Sequence, residues 1–526
     1  MKNINLLLVM LLFYFASYAQ NFEWAHNGKG TIETNSRIAS DKSGNVYVCG
    51  SFQHLCIFTD ALNSIASEDG FLVKFDSSGV EQWLVKIGGT SGNEYDFARD
   101  VAVDGAGNIY VTGSYQNDLV IGDTAFYGDG GYIAKFNSSG AAIWAHSLGD
   151  FTEGREIVCG DSQSVFIAGI ANDSTDVPCA SGVKGFFFTR FDSSGNCSWT
   201  QRANPEDVGG IAVDHDNNLY VTGYFIAETQ FGAIVISPIG GQDVYLAKCS
   251  SQGNWQWARE FGGSMNEGGL SVNADADNNI LVTGFFSSTV DFDCENLTSS
   301  GDAAIFISKT DSAGNCLWVQ QAGGGTGNHY GFAVTTDLHS NCFISGSIVD
   351  TCNFGNITLV PGGERFYVAA YDKNGACQWA VETAGASGDR GVDLTTDGSG
   401  NVYAVGEFYD GGTHNFGNSS LQGDGFWIFV TKLSTIATEA IQNVNKNSIR
   451  IFPMPVTSSC IIEMLGNKIE GDQHFVVYDA LSEQIKSEKL SGRNTVFEKG
   501  NLHPGIYFYH VVNEDGIIYR GKMIVD

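Results

Sequence analysis

A seven-residue phrase, G-N-x-Y-V-x-G, returns seven times along the chain, and this recurrence limits the possible folds more than any other feature. The copies are Gly44–Gly50, Gly107–Gly113, Gln163–Gly169, Asn217–Gly223, Asn278–Gly284, Ser340–Gly346 and Gly400–Gly406, with closing glycines 63, 56, 54, 61, 62 and 60 residues apart. Three landmarks keep step with it. An aspartate precedes each phrase, at Asp41, Asp104, Asp161, Asp214, Asp275, Asp337 and Asp397. A basic residue closes a later hydrophobic run at Lys74, Lys135, Arg190, Lys248, Lys309 and Lys432, with Ala370 the exception. A tryptophan follows a Ser-Ser-Gly-type turn at Trp83, Trp144, Trp199, Trp257, Trp318 and Trp379, and the seventh copy has none.

Each period therefore holds about four alternating segments divided by turn residues. A lone four-stranded sheet leaves two faces uncovered, whereas sheets stacked radially around an axis cover both and leave only short edges. The expected fold is all-β: a seven-bladed β-propeller over residues 20–433. Phe22-Glu23-Trp24-Ala25 resembles the Trp-Ala segments at Trp144, Trp257 and Trp379, so the N-terminal strand is expected to complete the seventh blade and lock the ring. Composition agrees, since 66 glycines, 7 prolines and 43% hydrophobic residues fit a turn-rich β protein and exclude disorder and collagen.

Lys2, the apolar run Leu6 to Phe15 and Ser17-Tyr18-Ala19 read as an export signal over residues 1–19, with the mature chain starting at Gln20. The absence of a cysteine after that site argues against a lipid anchor, and no later run of 18 apolar residues offers a transmembrane segment. Periodicity stops at Ser434. Residues 434–446 read as a linker, and residues 447–526 as a small antiparallel β-sandwich with strands near 448–452, 459–464, 475–478, 495–497, 505–512 and 517–525. Net charge is −31, from 28 Lys+Arg against 59 Asp+Glu, and the segment from Lys446 onward holds nine basic and ten acidic residues, so the acidity belongs to the repeats. Such a field disfavours nucleic acid and anionic lipid as partners and favours a cationic partner or metal ions, with Ca²⁺ one such cation.

Two families carry these motifs. The repeats resemble the bacterial SBBP β-propeller repeat, most closely at Asp96 through Gly113 and Asp302 through Trp318. The C-terminal module resembles the type A sorting domain of the type IX (Por) secretion system of Bacteroidetes. Its matching pieces are Ile451-Phe452-Pro453-Met454-Pro455, Val476-Val477-Tyr478-Asp479, Leu502-His503-Pro504-Gly505-Ile506-Tyr507 and Gly521-Lys522-Met523-Ile524-Val525. Met454 and Ser482 depart from the pattern, which has asparagine and glycine there. The resemblance implies Sec-type export, recognition of the C-terminal domain by the type IX machinery, and release or attachment at the outer cell surface once that domain is removed. It implies no reaction, because a propeller hosts enzymes, adhesins and scaffolds alike.

Motifs for nucleophilic hydrolysis, zinc binding and phosphate cradling are absent, and Gly88-Gly89, Gly262-Gly263 and Gly323-Gly324 read as turns between blades. One constellation stands out. Eight residues before each landmark aspartate are Glu33, Asp96, Glu153, Glu206, Glu267, His329 and Asp389, a candidate ring at one mouth of the channel for a ligand or cation. The competing reading is that these side chains satisfy backbone donors in a turn. Asp214, Asp216, Asp275 and Asp277 resemble the start of a calcium loop, but αL hairpin turns demand the same residues. The repeated tryptophans suit packing between blades better than a sugar platform, and Trp255 and Trp427, which break the register, are candidates for exposed binding aromatics. The recurring lysines would pair with acidic neighbours. Among the cysteines, Cys197, Cys316 and Cys377 read as small apolar fillers, while Cys49 with Cys56 and Cys342 with Cys352 are the pairs that spacing singles out.

Three functions follow as expectations: a secreted or cell-surface binding or scaffold propeller for a glycan, polymer or protein; an extracellular polysaccharide-acting enzyme using channel-mouth carboxylates; or a structural surface-layer component. Ligand choice would be written in the variable loops between second and third strands, such as Ser51 to Asp69 and Ala171 to Lys184.

Overall fold

The computed structural model describes residues 22–433, apart from 33–35, 65–66, 91–93 and 424–425, and most of 449–525. The export signal, Glu33 and the linker lie outside the described residues. The chain divides into two compact units near Thr438.

The motif's chemistry explains its recurrence. In the first turn, Asp41 Oδ1 accepts the amides of Ser43 and Asn45, while Oδ2 accepts the Asn45 side-chain amide and the Tyr47 hydroxyl. The same aspartate cap closes the turns at Asp104, Asp214, Asp275, Asp337 and Asp397. The residue before the repeated asparagine position has positive φ in every copy: Gly44 78°, Gly107 82°, Gln163 60°, Asn217 59°, Asn278 61°, Ser340 61° and Gly400 78°. Gly and Asn tolerate that left-handed geometry best.

Around these turns each repeat builds an antiparallel four-stranded sheet. The second repeat is typical, with strands Phe97–Val103, Ile109–Tyr115, Gly130–Phe136 and Ala142–Asp150 paired in that order. The innermost strands Arg37–Ser40, Phe97–Val103, Thr152–Cys159, Asp207–Val213, Gly268–Ala274, Tyr330–Thr336 and Asp389–Thr396 each touch the next, and the last touches the first, so the array is a closed β-propeller. In the final sheet the outer strand is Phe22–Ile32, with Trp24 opposite Lys432 as Trp83 lies opposite Lys74.

Apolar cores lie between neighbouring sheets. One joins Tyr47, Cys49 and Leu72 to Val111, Tyr132 and Phe136, and burying each such large side chain contributes roughly 1.5–3 kcal/mol. Polar contacts fix the register of this packing. Lys74 and Trp83 both donate to the Ser138 carbonyl of the next repeat. The same two donors meet at Ser193, Ser251, Ser312 and Lys373, at 2.6–3.4 Å. The basic side chains thus donate to backbone carbonyls, and three of them also pair with acidic neighbours as expected: Lys248 with Asp214 at 3.9 Å, Lys309 with Asp275 at 2.6 Å and Lys432 with Glu23 at 2.7 Å. Glycine is required in the accepting turn, because a Cβ on Gly375 would come within 2.8 Å of Trp318.

The loops between second and third strands differ from expectation. Most form hairpins that pair with the outer strand of the preceding repeat: Val290 opposite Gly263, Cys352 opposite Gly324 and Asn415 opposite Ala384. Gly262-Gly263 and Gly323-Gly324 are therefore strand ends rather than turns, where a Cβ on Gly263 would press on the Thr289 carbonyl. Two hairpins are tied down by Cys179–Cys197 and Cys294–Cys316. Cys197 and Cys316 are thus bridge partners rather than fillers. Cys49, Cys56, Cys342 and Cys352, the pairs singled out by spacing, are buried thiols, and Cys49 and Cys56 stand seven residues apart on one extended strand, too far to bridge.

The C-terminal unit has two sheets. Ile449–Phe452, Ser459–Met464 and Asn494–Glu498 form one; Gln484–Lys489, His474–Tyr478, Gly505–Asn513 and Gly516–Val525 form the other, in spatial order. Phe475, Val477, Phe497 and Val511 fill its core. Gln484–Lys489 is an edge strand that hydrophobic periodicity misses, since charges interrupt it.

Candidate functional site

The described residues of the predicted channel-mouth ring do not gather into one site. Asp96, Glu267, His329 and Asp389 are buried at joints between repeats. Asp96 accepts the Gly89 amide and Glu267 the Gly263 amide, so both carboxylates hold the connection entering their strand. Burial pushes each up to about 7, with Asp69 and Glu94 adding to the effect at Asp96 and Asp243 at Glu267. His329 faces Asp350 at 3.1 Å, and burial lowers its pKa. Asp389 lies 3.3 Å from Arg365 and 3.5 Å from His414, and accepts the Thr383 hydroxyl. Glu206 is exposed.

Glu153 is a register error. Gly160, not Asp161, occupies the turn position of Asp104 in the third repeat, since its amide donates to Ser164 O as Asp104 N donates to Asn108 O. The residue equivalent to Asp96 is therefore Thr152, whose hydroxyl accepts the Gly131 amide. A one-residue slip turns a strand side chain to the opposite face, which sends Glu153 to the mouth. There it meets Arg99 at 3.3 Å and Arg155 at 3.6 Å.

The channel itself is lined by a register four residues before the turn position, Arg37, Asp100, Glu156, Gly210, Ser271 and Asp393, except in the sixth repeat, where the equivalent Ala333 is buried in the core and Phe332 and Val334 line the cavity. The residues of this register, Ala333 included, lie opposite Cys49, Thr112, Ala168, Thr222, Thr283, Ser345 and Val405, each just before a closing glycine. The cavity here is only about 140 Å³, room for a few waters. Arg37 reaches Glu156 at 3.6 Å. Asp393 accepts the Ile38 amide, Asp100 the Ile157 amide and Ser271 the Val334 amide, so the ring stitches each of these repeats to the next. Burial pushes Glu156 up to about 7 and raises Asp100 and Asp393, while Arg37 opposes the rise in all three. Counting back four residues from each turn would have found this ring.

Asp214 and Asp275 are used by their own turns. Asp214 accepts Asp216 N, Asn218 N and the Tyr220 hydroxyl, and Asp275 accepts Asp277 N and Asn279 N. Asp277 accepts the Ser340 hydroxyl of the next repeat. Among the described residues no three His, Cys, Asp or Glu side chains gather to hold a metal ion.

Trp255 and Trp427 are not exposed platforms. Trp255 packs edge-on against Phe188 and Phe231, with ring centroids 5.5 and 5.0 Å away, and Trp427 packs against the core beneath Lys29. The exposed aromatics are elsewhere. A pocket of about 220 Å³ opens between the second and third repeats at the channel-mouth end. Tyr95 and Phe151, 44% and 56% exposed, flank it, and Phe151 is a bulky residue held at φ 56°. The Phe151 amide donates to Asp129 O and its carbonyl accepts Asn172 N, which holds the backbone that carries the ring. Arg99 stacks over Phe97 at 4.8 Å, its Nε buried without a hydrogen-bond partner, and Asn172 donates to Glu153. Aromatic faces beside a carboxylate, an amide and a guanidinium can hold an amphipathic ligand with many hydroxyls. Phe151 has no repeat signal, so the sequence did not show it.

Of the sorting residues, Pro453, Pro455 and Asp479 lie outside the described residues. Gly505 opens a strand, the Tyr507 hydroxyl donates to His503 O, and Lys522 pairs opposite Phe508.

Residues 82–114 match the family model of the beta-propeller repeat, and residues 450–526 that of the secretion system C-terminal sorting domain. An uncharacterised WD repeat-containing protein of Acanthamoeba polyphaga mimivirus is 23% identical over 399 residues, 57% of this chain and 28% of that protein. The regulatory protein FlaEY of Caulobacter vibrioides is 26% identical over 152 residues, 26% of this chain and 16% of that protein. The chain thus spans less than a third of the length of these curated relatives. Among solved structures, the Dos1 propeller has a TM-score of 0.43 at 8% identity, covering 80% of this chain and 95% of that chain. PorZ, a surface component of the type IX secretion system of Porphyromonas gingivalis, has a TM-score of 0.30 at 10% identity, covering 93% of this chain and 70% of that chain. The chain carries an SBBP-type propeller repeat and a type IX sorting domain, which implies secretion to the cell surface or beyond.

Proposed function

We propose that this is a binding propeller whose ligand is a glycan, taken at the pocket between the second and third repeats. Residues 1–19 serve as the export signal, residues 434–446 link the propeller to its sorting module, and the type IX machinery removes that module on delivery. Phe151 carries the reading. A phenylalanine in left-handed conformation costs about 1–2 kcal/mol and persists where surrounding structure imposes it, often at ligand sites. Here it holds an exposed ring above a polar pocket. Sugar rings stack on such faces, and Asn172, Glu153 and Arg99 are placed to meet hydroxyls.

A glycan array followed by titration calorimetry tests this with Phe151→Gly, which relieves the backbone while removing the ring. Binding should fall at least about tenfold, a change of about 1.4 kcal/mol, with no drop in melting temperature. Undiminished glycan binding by the variant would move the site elsewhere.

A further inference from the structure

We infer that a second site, at the opposite end of the blades, binds a primary alkylammonium group. It is independent of the glycan reading and rests on the one repeat that departs from the lysine rule.

In six repeats a cation occupies the third-strand position between two cross-strand neighbours, a second-strand side chain and the tryptophan. Lys74, Lys135, Arg190, Lys248 and Lys432 lie 5.0–5.9 Å from the ring centres of Tyr47, Tyr110, Phe166, Tyr220 and Tyr403. The turn aspartate lies close by, with Lys248 at 3.9 Å from Asp214 and Lys309 at 2.6 Å from Asp275. The fold thus repeats a receptor for a side-chain cation, complete as aromatic face, indole and carboxylate in the first, second, fourth and seventh repeats, while Leu281 replaces the aromatic in the fifth and Gly160 the aspartate in the third.

The sixth repeat keeps the receptor and lacks the cation. Ala370 stands opposite both Phe343 and Trp379, whose ring centres are 6.0 Å apart. A cavity of about 380 Å³ opens there, lined by Asp337, Phe343, Ala370, Asp372, Trp379 and Ser399 among others. Phenylalanine replaces the tyrosine whose hydroxyl caps the aspartate in four other repeats, so Asp337 Oδ2 keeps only the Asn341 side-chain amide of those two partners. Asp337 is also more open than its equivalents Asp214 and Asp275, which are buried. An ammonium over an aromatic face beside a carboxylate is attracted by ring quadrupole and charge together, and the chain's net charge of −31 favours its approach.

The test titrates the mature chain at physiological salt with n-butylammonium, and with n-butanol as the uncharged control. Saturable one-site binding of the ammonium is expected, and none of the alcohol. Ala370→Lys, which supplies the cation internally, should abolish it while raising the melting temperature, and Asp337→Asn should weaken it at least about tenfold. A capped Gly-Lys-Gly peptide distinguishes sources: binding sensitive to Ala370→Lys assigns the pocket to a protein lysine, and butylammonium binding alone to a free amine. Absence of saturable binding, or binding unchanged in Ala370→Lys, overturns the proposal.

Discussion

At the turn end of the blades, five successive joints are closed by one device: a basic side chain and a tryptophan donating to a single carbonyl of the next repeat. At the mouth end the described joints use varied residues, although Asp96 and Glu267 each take a glycine amide. Asp96 takes an amide, Thr152 substitutes a hydroxyl, Glu267 faces Asp243, His329 faces Asp350, and Asp389 faces Arg365. The contrast teaches where repetition serves assembly and where it has been given up. The uniform end repeats one contact from blade to blade, and the varied end carries the exposed aromatics Tyr95 and Phe151. Within the uniform end, the only missing cation coincides with a cavity.

The comparison can be broken in order of effect. Lys309→Ala should cost most, because Lys309 is buried and pairs with the buried Asp275. Orphaning such a charge costs about 3–5 kcal/mol, so chemical denaturation should show a large loss, against under about 0.5 kcal/mol for the exposed Tyr95→Ala. Equal losses would dissolve the distinction between the two ends.

Next comes pH. The Glu267 carboxyl, normally near 4.5, is pushed up to about 7 by burial and by Asp243. The native state then holds a proton that the unfolded chain has released, so stability falls as pH rises from about 4.5 to 7, and the penalty is fully present above that. Glu267→Gln should therefore be more stable than the parent at pH 8, by at most about 3 kcal/mol. The two should converge toward pH 4.5. A constant gap between their denaturation midpoints across this range would rule out the titration.

A smaller gain should come from Gly355→Cys. An ideal Cβ there lies 3.9 Å from the Cβ of Cys377, within disulfide range. Gly355 has φ 61°, matching Cys179 at 62°, which bridges Cys197 in the third repeat. Net stabilisation of about 2 kcal/mol is expected after the left-handed strain is subtracted. Non-reducing peptide mapping should find the new bridge to Cys377, and its absence would show that the sixth-repeat hairpin is seated differently.

Most of the architecture was legible because each landmark does a local job. Asp41, Asn45 and Tyr47 form one capped turn, so their spacing is fixed by backbone geometry and returns wherever that turn returns. The sites were less legible. In the third repeat the aspartate stands one residue late, which misplaced Glu153 by one position and hence by one face. The disulfides join hairpins to outer strands 18 and 22 residues away, and spacing gave no hint of those returns.

By itself, then, the sequence determined the β class, the blade period and the C-terminal address, since these rest on interactions within a few residues or on a pattern repeated in order. Only the tertiary structure decided that the channel is a small ring around Arg37, that Tyr95 and Phe151 share a pocket, and that Ala370 borders a cavity with Phe343 and Trp379. Each depends on side chains brought together across strands or between repeats, where no local rule links their positions along the chain.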